Sequence, residues 1–220
     1  MSAVQNAGSI VGYSSPNSLS PTSALSVGEW LGRNIAEAVL ASGDRLVATA
    51  RGPRRLAPFE QLSSERFKAV VDTNFYGVVN ATRAALPIMR KQKSGCILQI
   101  SSLGGRLAVP DSAPYHAAKW AVGGFAESLA QEVAPFGVKV CALEPGGMRT
   151  NWGVRAHQDA PELLLDYEPS VGAIVKALHS LWGQENSDPG KVAQIILRLA
   201  DSDHLPAHLL LAATRSSMLR

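Results

Sequence analysis

The sequence predicts an α/β domain: a doubly wound parallel sheet between two layers of helices, three layers in αβα order. Three observations predict it. Residues 95–102 (GCILQISS) and 138–143 (VKVCAL) are short apolar runs that read as buried strands. The segment 112–137 between them carries an apolar stripe at Ala118, Val122, Phe125, Leu129 and Val133, a helical period that supplies the crossover two parallel strands require. Upstream, 31–40 (LGRNIAEAVL) and 45–50 (RLVATA) repeat the alternation of helix and strand.

Taken in order, the first helix spans 31–40 and stops at Gly43, and 45–50 forms the next strand. A long helix opens near Ser63 and ends near Gly95, striped by Phe67, Val70, Val71, Val78, Ala81 and Ala85, with Gly77 and Pro87 expected to bend it. The strand 95–102 ends in two serines. Pro114 suits the first turn of the following helix. The strand 138–143 runs into Glu144, Pro145, Gly146, Gly147, Met148, Arg149 and Thr150, a turn at the carboxyl end of a strand, where open α/β sheets bind ligands. Residues 150–190 form a lid in which Trp152, His157, Tyr167 and Trp182 are available to line an apolar pocket, with His157 on its exposed loop rather than in catalysis. Asp188 and Pro189 start a helix that runs to Leu199, and 208–212 gives a last strand.

Composition fits one such domain. With 220 residues, 46% hydrophobic and 18% charged, the chain can bury a sizeable core. The longest apolar runs fall far short of the ~20 residues that span a bilayer, and the N-terminus lacks the basic and apolar regions of a secretory signal. A cytoplasmic chain without a membrane partner is expected. Cys96 and Cys141 both fall in expected strands and read as core thiols, without the spacing of a metal site. The net charge of +3 arises from 21 basic and 18 acidic residues spread along the chain, which gives no footprint for nucleic acid.

The chemistry lies in Ser102, Tyr115 and Lys119. Tyr115 and Lys119 are four apart on one helix face, so the ammonium can approach the phenol, favour the phenolate and prepare Tyr115 as a general acid/base. Ser102, at the end of a strand, would hold the substrate oxygen. With Asn74 in DTNFYGVVNATRAALP these residues match, in order and spacing, the Asn, Ser, Tyr, Lys tetrad of the short-chain dehydrogenase/reductase family, which the chain resembles over roughly residues 31–211. Pro145, Gly146 and Thr150 match that family's Pro-Gly-x-x-x-Thr segment. The resemblance implies a Rossmann-like sheet and hydride transfer between a nicotinamide cofactor and a carbonyl or alcohol. It implies that Lys119 and Tyr115 contact the nicotinamide ribose and Thr150 the carboxamide. Asn74 would bend its helix and hold a water leading to Lys119. A homodimer or homotetramer through a four-helix interface is also implied.

The cofactor half departs from that pattern. The family's Thr-Gly-x-x-x-Gly-x-Gly turn, aligned back from Gly32, places Ser26 and Trp30 where its first two glycines stand. A bulky Trp30 would obstruct the approach of a diphosphate to the backbone, unless Gly28 supplies the turn in a shifted register. Residues 1–28 hold eight serines, two prolines and no charge, and read as an irregular, flexible tail without a first strand. Asn6, Ala7 and Gly8 spell a family motif but precede the first helix, and are read as coincidence. Only 52–62 separate the second strand from the helix bearing Asn74, so a strand-helix-strand unit is missing and the sheet must close across a gap or stay partly open. Either a truncated gene product or a natural variant fits. The Rossmann-like domain is thus expected over 29–212. Arg51, with Arg54 and Arg55 beyond it, stands where an acidic residue would bind the ribose hydroxyl of NAD; arginine suits the 2′-phosphate of NADP.

Two functions follow from this pattern. One is an NADP-dependent short-chain oxidoreductase using Tyr115 as acid/base. The other is an inactive relative that retains only the fold and the oligomer interface.

Overall fold

A computed structural model of the chain describes residues 10–13, 23–27, 31–41, 46–50, 57–150 and 162–211. The strands are β1 (Ile10–Tyr13), β2 (Ser23–Val27), β3 (Leu46–Ala50), β4 (Gly95–Ile100), β5 (Val138–Pro145) and β6 (His208–Leu211). The helices are α1 (Leu31–Ala41), α2 (Ser64–Val71), α3 (Gly77–Gln92), α4 (Ala113–Val133), α5 (Ala173–Leu181) and α6 (Pro189–Ala200). One six-stranded sheet runs in the order β3-β2-β1-β4-β5-β6.

The pleat of the two central strands creates the three layers. Successive side chains of a strand point to opposite faces. Cys96, Leu98 and Ile100 of β4 and Cys141 and Leu143 of β5 therefore meet Ile35 and Val39 of α1 and Val192, Ala193 and Ile196 of α6. On the other face, Ile97, Val138, Val140 and Ala142 meet Val78 and Met89 of α3 and Val122, Ala126, Leu129 and Val133 of α4. Each fully buried branched side chain in these clusters stabilises the fold by roughly 2 kcal/mol. Both cysteines are buried and unbridged.

Element boundaries follow local chemistry. The Ser63 hydroxyl accepts from the Arg66 N–H to start α2, and the Asp188 side chain accepts from the Lys191 N–H to start α6. Pro114 lies in the first turn of α4. After α3, Lys93 takes a left-handed conformation, with φ of 53°, and its carbonyl lies against Gly137. Gly137, with φ of 69°, turns the chain from the α4 end into β5.

The N-terminal half differs from the sequence reading in three ways. Residues 1–28 are not only an irregular tail, since they contain β1 and β2. β2 pairs in parallel with β3 along its full length, Ser23 opposite Leu46 through Val27 opposite Ala50, and leads towards α1 as a first Rossmann strand does. Its SALSV composition carries little strand signal; pairing to β3 decides it. Second, the sheet has no gap. β1 lies between β2 and β4, where the missing unit would have left the gap, and runs antiparallel to both, Ile10 opposite Gln99 and Val11 opposite Leu25. An antiparallel neighbour can be reached through a connection as short as residues 14–22, whereas a parallel one would need a crossover. The sheet is parallel apart from β1. Third, the helix bearing Asn74 is interrupted not at Gly77 or Pro87 but by a π turn over Asp72–Tyr76, with the Gly77 N–H donating to the Asp72 carbonyl. The Asn6-Ala7-Gly8 motif lies outside the described residues.

Candidate active site

The candidate site sits at the carboxyl ends of β4 and β5, where the chain leaves the sheet. β4 ends at Ile100, and the following residues turn back over the start of α4. Ser101 donates its hydroxyl proton to the Lys119 carbonyl at 3.0 Å, tying the strand end to the helix. Ser102 caps a 3-10 turn, Leu103–Gly105, and its Oγ accepts from the Gly104 N–H at 3.0 Å. That bond uses a lone pair of the hydroxyl and leaves its proton for another acceptor.

Tyr115 and Lys119 lie in the first two turns of α4. Lys119 is 4% exposed. Its Nζ donates to the Ile100 carbonyl at 2.6 Å and stands 5.7 Å from the centroid of the Tyr115 ring. An ammonium buried this far needs acceptors, and the carbonyl at the end of β4 supplies one. Asn74 is buried in the π turn, and its Nδ2 donates to the Val70 carbonyl at 2.7 Å. Its amide thus serves a carbonyl one turn back in the helix, where the backbone pattern is broken.

Two glycines make this convergence possible. A Cβ on Gly104 would stand 2.9 Å from His116 Nδ1 and 3.1 Å from Tyr115 Cε1; one on Gly105 would stand 2.8 Å from Ser101 Oγ and 2.9 Å from the Lys119 carbonyl oxygen. The turn after Ser102 therefore lies directly against α4. Sequence reasoning named neither glycine nor His116, although the Gly-Gly pair two residues after Ser102 is a signal of close backbone approach.

The segment after β5 is held on its other side. Pro145 pairs with Leu211, and the Gly146 N–H donates to the Leu211 carbonyl at 3.3 Å. Met148 bridges to Ser187, the Arg149 N–H donates to the Ser187 carbonyl, and the Arg149 side chain reaches the Glu185 carbonyl at 2.7 Å and Asp188 at 3.2 Å. The run leading to Thr150 is thus fixed against the start of α6. Gly32 lies in the first turn of α1, and Gly28 and Arg51 lie outside the described residues, as do Trp152 and His157. Of the other lid aromatics, Tyr167 donates its hydroxyl to Glu60 at 2.7 Å and Trp182 stacks against His179 with ring centroids 4.6 Å apart. Tyr167 therefore ties its segment to Glu60 in residues 57–62, a partner that the sequence interval of over a hundred residues concealed. A cavity of about 420 Å³ lies between α3 and α4, lined by Val79, Arg83, Leu86, Phe125 and Leu129 among others, and none of the four tetrad residues lines it.

Comparison with known proteins agrees with this architecture. The sequence profile described as short chain dehydrogenase matches residues 34–161. The chain is 37% identical over 231 aligned positions to the oxidoreductase BOA17 of Botryotinia fuckeliana, covering 82% of this chain and 84% of that one. It is 35% identical to a 3-ketodihydrosphingosine reductase of Bacteroides thetaiotaomicron, covering 70% of this chain and 56% of the reductase, so it spans little more than half the length of that relative. Among solved structures, a short-chain dehydrogenase from Streptomyces avermitilis superposes with a TM-score of 0.73 at 28% identity, covering 86% of this chain and 88% of its own. The Rossmann-like α/β sheet and these matches together point to a class of oxidoreductases that use nicotinamide cofactors. The chain belongs to the short-chain dehydrogenase family.

Proposed function

We propose that this chain is an NADP-dependent short-chain oxidoreductase that interconverts a small carbonyl compound and its alcohol, with Tyr115 as general acid/base. The observation that carries the reading is the buried Lys119 ammonium 5.7 Å from the Tyr115 ring, beside the turn that orients Ser102.

The residues present fit the nicotinamide end of the cofactor. A phenol and a buried ammonium in the first two turns of α4, with the Pro145, Gly146 and Thr150 segment at the end of β5, are a donor set suited to ribose hydroxyls and a carboxamide. Gly28 and Gly32 would face the diphosphate and Arg51 the 2′-phosphate. When bound, NADPH would supply the hydride to the carbonyl carbon. Tyr115 then gives its phenolic proton to the substrate oxygen as negative charge develops there. Lys119 stabilises the phenolate left behind, Ser102 donates its free proton to the same oxygen, and Asn74 keeps its helix bent beside Lys119. In the reverse direction Tyr115 takes the proton from the alcohol.

The groove between α3 and α4 supports a homodimer or homotetramer assembled through these helices. A cytoplasmic location belongs to this reading; no helix among the described residues is long and apolar enough to cross a membrane. A second reading, a relative that retains the fold without catalysis, is favoured by Ser26 and Trp30 at the two glycine positions of the diphosphate turn.

Titration of the folded protein with NADPH and NADH, followed by nicotinamide fluorescence and melting temperature, separates the two. Saturable binding, tighter for NADPH, supports the oxidoreductase. A folded chain that binds neither nucleotide overturns it in favour of the inactive relative.

A further inference from the structure

We propose that His116 is a positioning residue that sets the Ser102 hydroxyl against Tyr115, an inference that rests on the oxidoreductase reading above. His116 follows Tyr115 directly on α4, is 9% exposed, and makes one hydrogen bond to the turn after Ser102 and one to Val109 beyond it. Its Nδ1 lies 2.8 Å from the Gly104 carbonyl oxygen, and the Val109 N–H donates to its Nε2 at 3.2 Å. A carbonyl can only accept and an amide N–H can only donate. The ring is therefore the neutral tautomer with its proton on Nδ1.

Gly104 links this ring to the site. Its carbonyl is held by His116, and its N–H is donated to Ser102 Oγ at 3.0 Å. His116, Gly104 and Ser102 thus form one chain of hydrogen bonds that ends on the hydroxyl assigned to the substrate oxygen. The Tyr115 and His116 rings meet edge to face, centroids 5.8 Å apart, so the residue holding the serine turn is also packed against the acid/base. No side chain at Gly104 buffers this contact, because a Cβ there would stand 2.9 Å from Nδ1. The Ser101 hydroxyl ties the strand end to α4 and Arg106 ties the turn to Glu144, but the Gly104 carbonyl and the Val109 N–H beyond it are held to α4 by the His116 ring.

Two variants test the proposal. His116→Phe keeps a ring of similar size and removes both nitrogens. His116→Asn places an amide nitrogen where Nδ1 stands and restores the bond to Gly104. With NADPH and 4-nitrobenzaldehyde as the carbonyl probe, His116→Phe should lower kcat by roughly tenfold or more, the scale expected when a reacting group is misplaced, with NADPH affinity close to wild type and the fold retained. His116→Asn should return kcat to within about threefold of wild type. In ¹⁵N-labelled protein, the Gly104 amide should exchange faster in His116→Phe and at the wild-type rate in His116→Asn. Wild-type kcat in His116→Phe overturns the proposal, as does equal loss in both variants or a Gly104 amide that does not respond. If the wild-type chain binds no NADPH, the oxidoreductase reading fails; with or without turnover of this probe, the amide exchange decides whether His116 holds Gly104.

Discussion

Arg106 Nε donates to Glu144 Oε1 at 2.8 Å, joining the turn that follows Ser102 to the end of β5. The Glu144 side chain is 4% exposed, and the same oxygen accepts from His208 Nδ1 at 2.9 Å on β6. One buried carboxylate therefore clamps three segments around the strand ends. Removing one member of such a cluster leaves its partners unmatched.

Glu144→Gln keeps the volume and loses the charge that holds Arg106. It should destabilise the fold by about 2 kcal/mol, read as a shift in the urea midpoint at constant slope. Arg106 is half exposed, so Arg106→Ala should cost less. Equal stability of Glu144→Gln and wild type would show that the cluster contributes no net energy.

Tyr115→Phe removes the phenolic oxygen and little else. Carbonyl reduction with NADPH should fall by roughly 100-fold or more, the lower end of what a positioned acid/base contributes, while NADPH affinity stays nearly unchanged. Steady-state rates and a fluorescence titration on the same preparation check both halves. Undiminished turnover would remove Tyr115 from the mechanism.

Gly137 enters β5 with φ of 69°, and a Cβ there would stand 2.5 Å from the Lys93 carbonyl oxygen. Gly137→Ala combines left-handed strain with a backbone clash and should cost about 2–3 kcal/mol. Gly124 meets nothing within 4 Å of its Cβ position, so Gly124→Ala in α4 should be neutral or slightly stabilising. Thermal melts of the pair make the comparison.

Asp111 has φ of 83°, an Oδ2 that is buried without a hydrogen-bond partner, and a carboxyl that burial pushes up to about 6 from 3.8. A raised carboxyl pKa means that the folded chain binds the proton more tightly than the unfolded chain, so this group lowers stability as pH rises through that window. Asp111→Asn removes the titration. The melting temperature of the variant minus that of wild type should grow from pH 4 to about 6 and stay level above. A difference independent of pH would show that the carboxyl does not titrate in that range.

Much of the catalytic half was legible in the chain. Residues 95–102 and 138–143 are short apolar runs, a local signal, and both strands form where those runs lie. Pro114, Ser63 and Asp188 act within one turn of their own position, so their roles as helix starts could be read directly. Asn74, Ser102, Tyr115 and Lys119 were identified by order and spacing, and the fold brings Ser102, Tyr115 and Lys119 to the end of β4.

The tertiary structure decided what depends on residues far apart in sequence. β1 and β2 have too little apolar contrast to declare themselves, and they exist as strands because β3 and β4 offer unpaired edges. The direction of β1 follows from the same cause, since an antiparallel strand fills the edge without a crossover. The Tyr167 to Glu60 contact and the Arg106, Glu144 and His208 cluster join side chains 38 to 107 residues apart. His116 stands beside Tyr115 in the chain, yet its task was hidden there, because a histidine's role is set by which donor and which acceptor meet its two nitrogens. The sequence by itself determined the fold class and the two central strands, carried by local apolar runs and helical spacing. The complete sheet and the bonds that orient Ser102 were settled by non-local pairing, which no local pattern encodes.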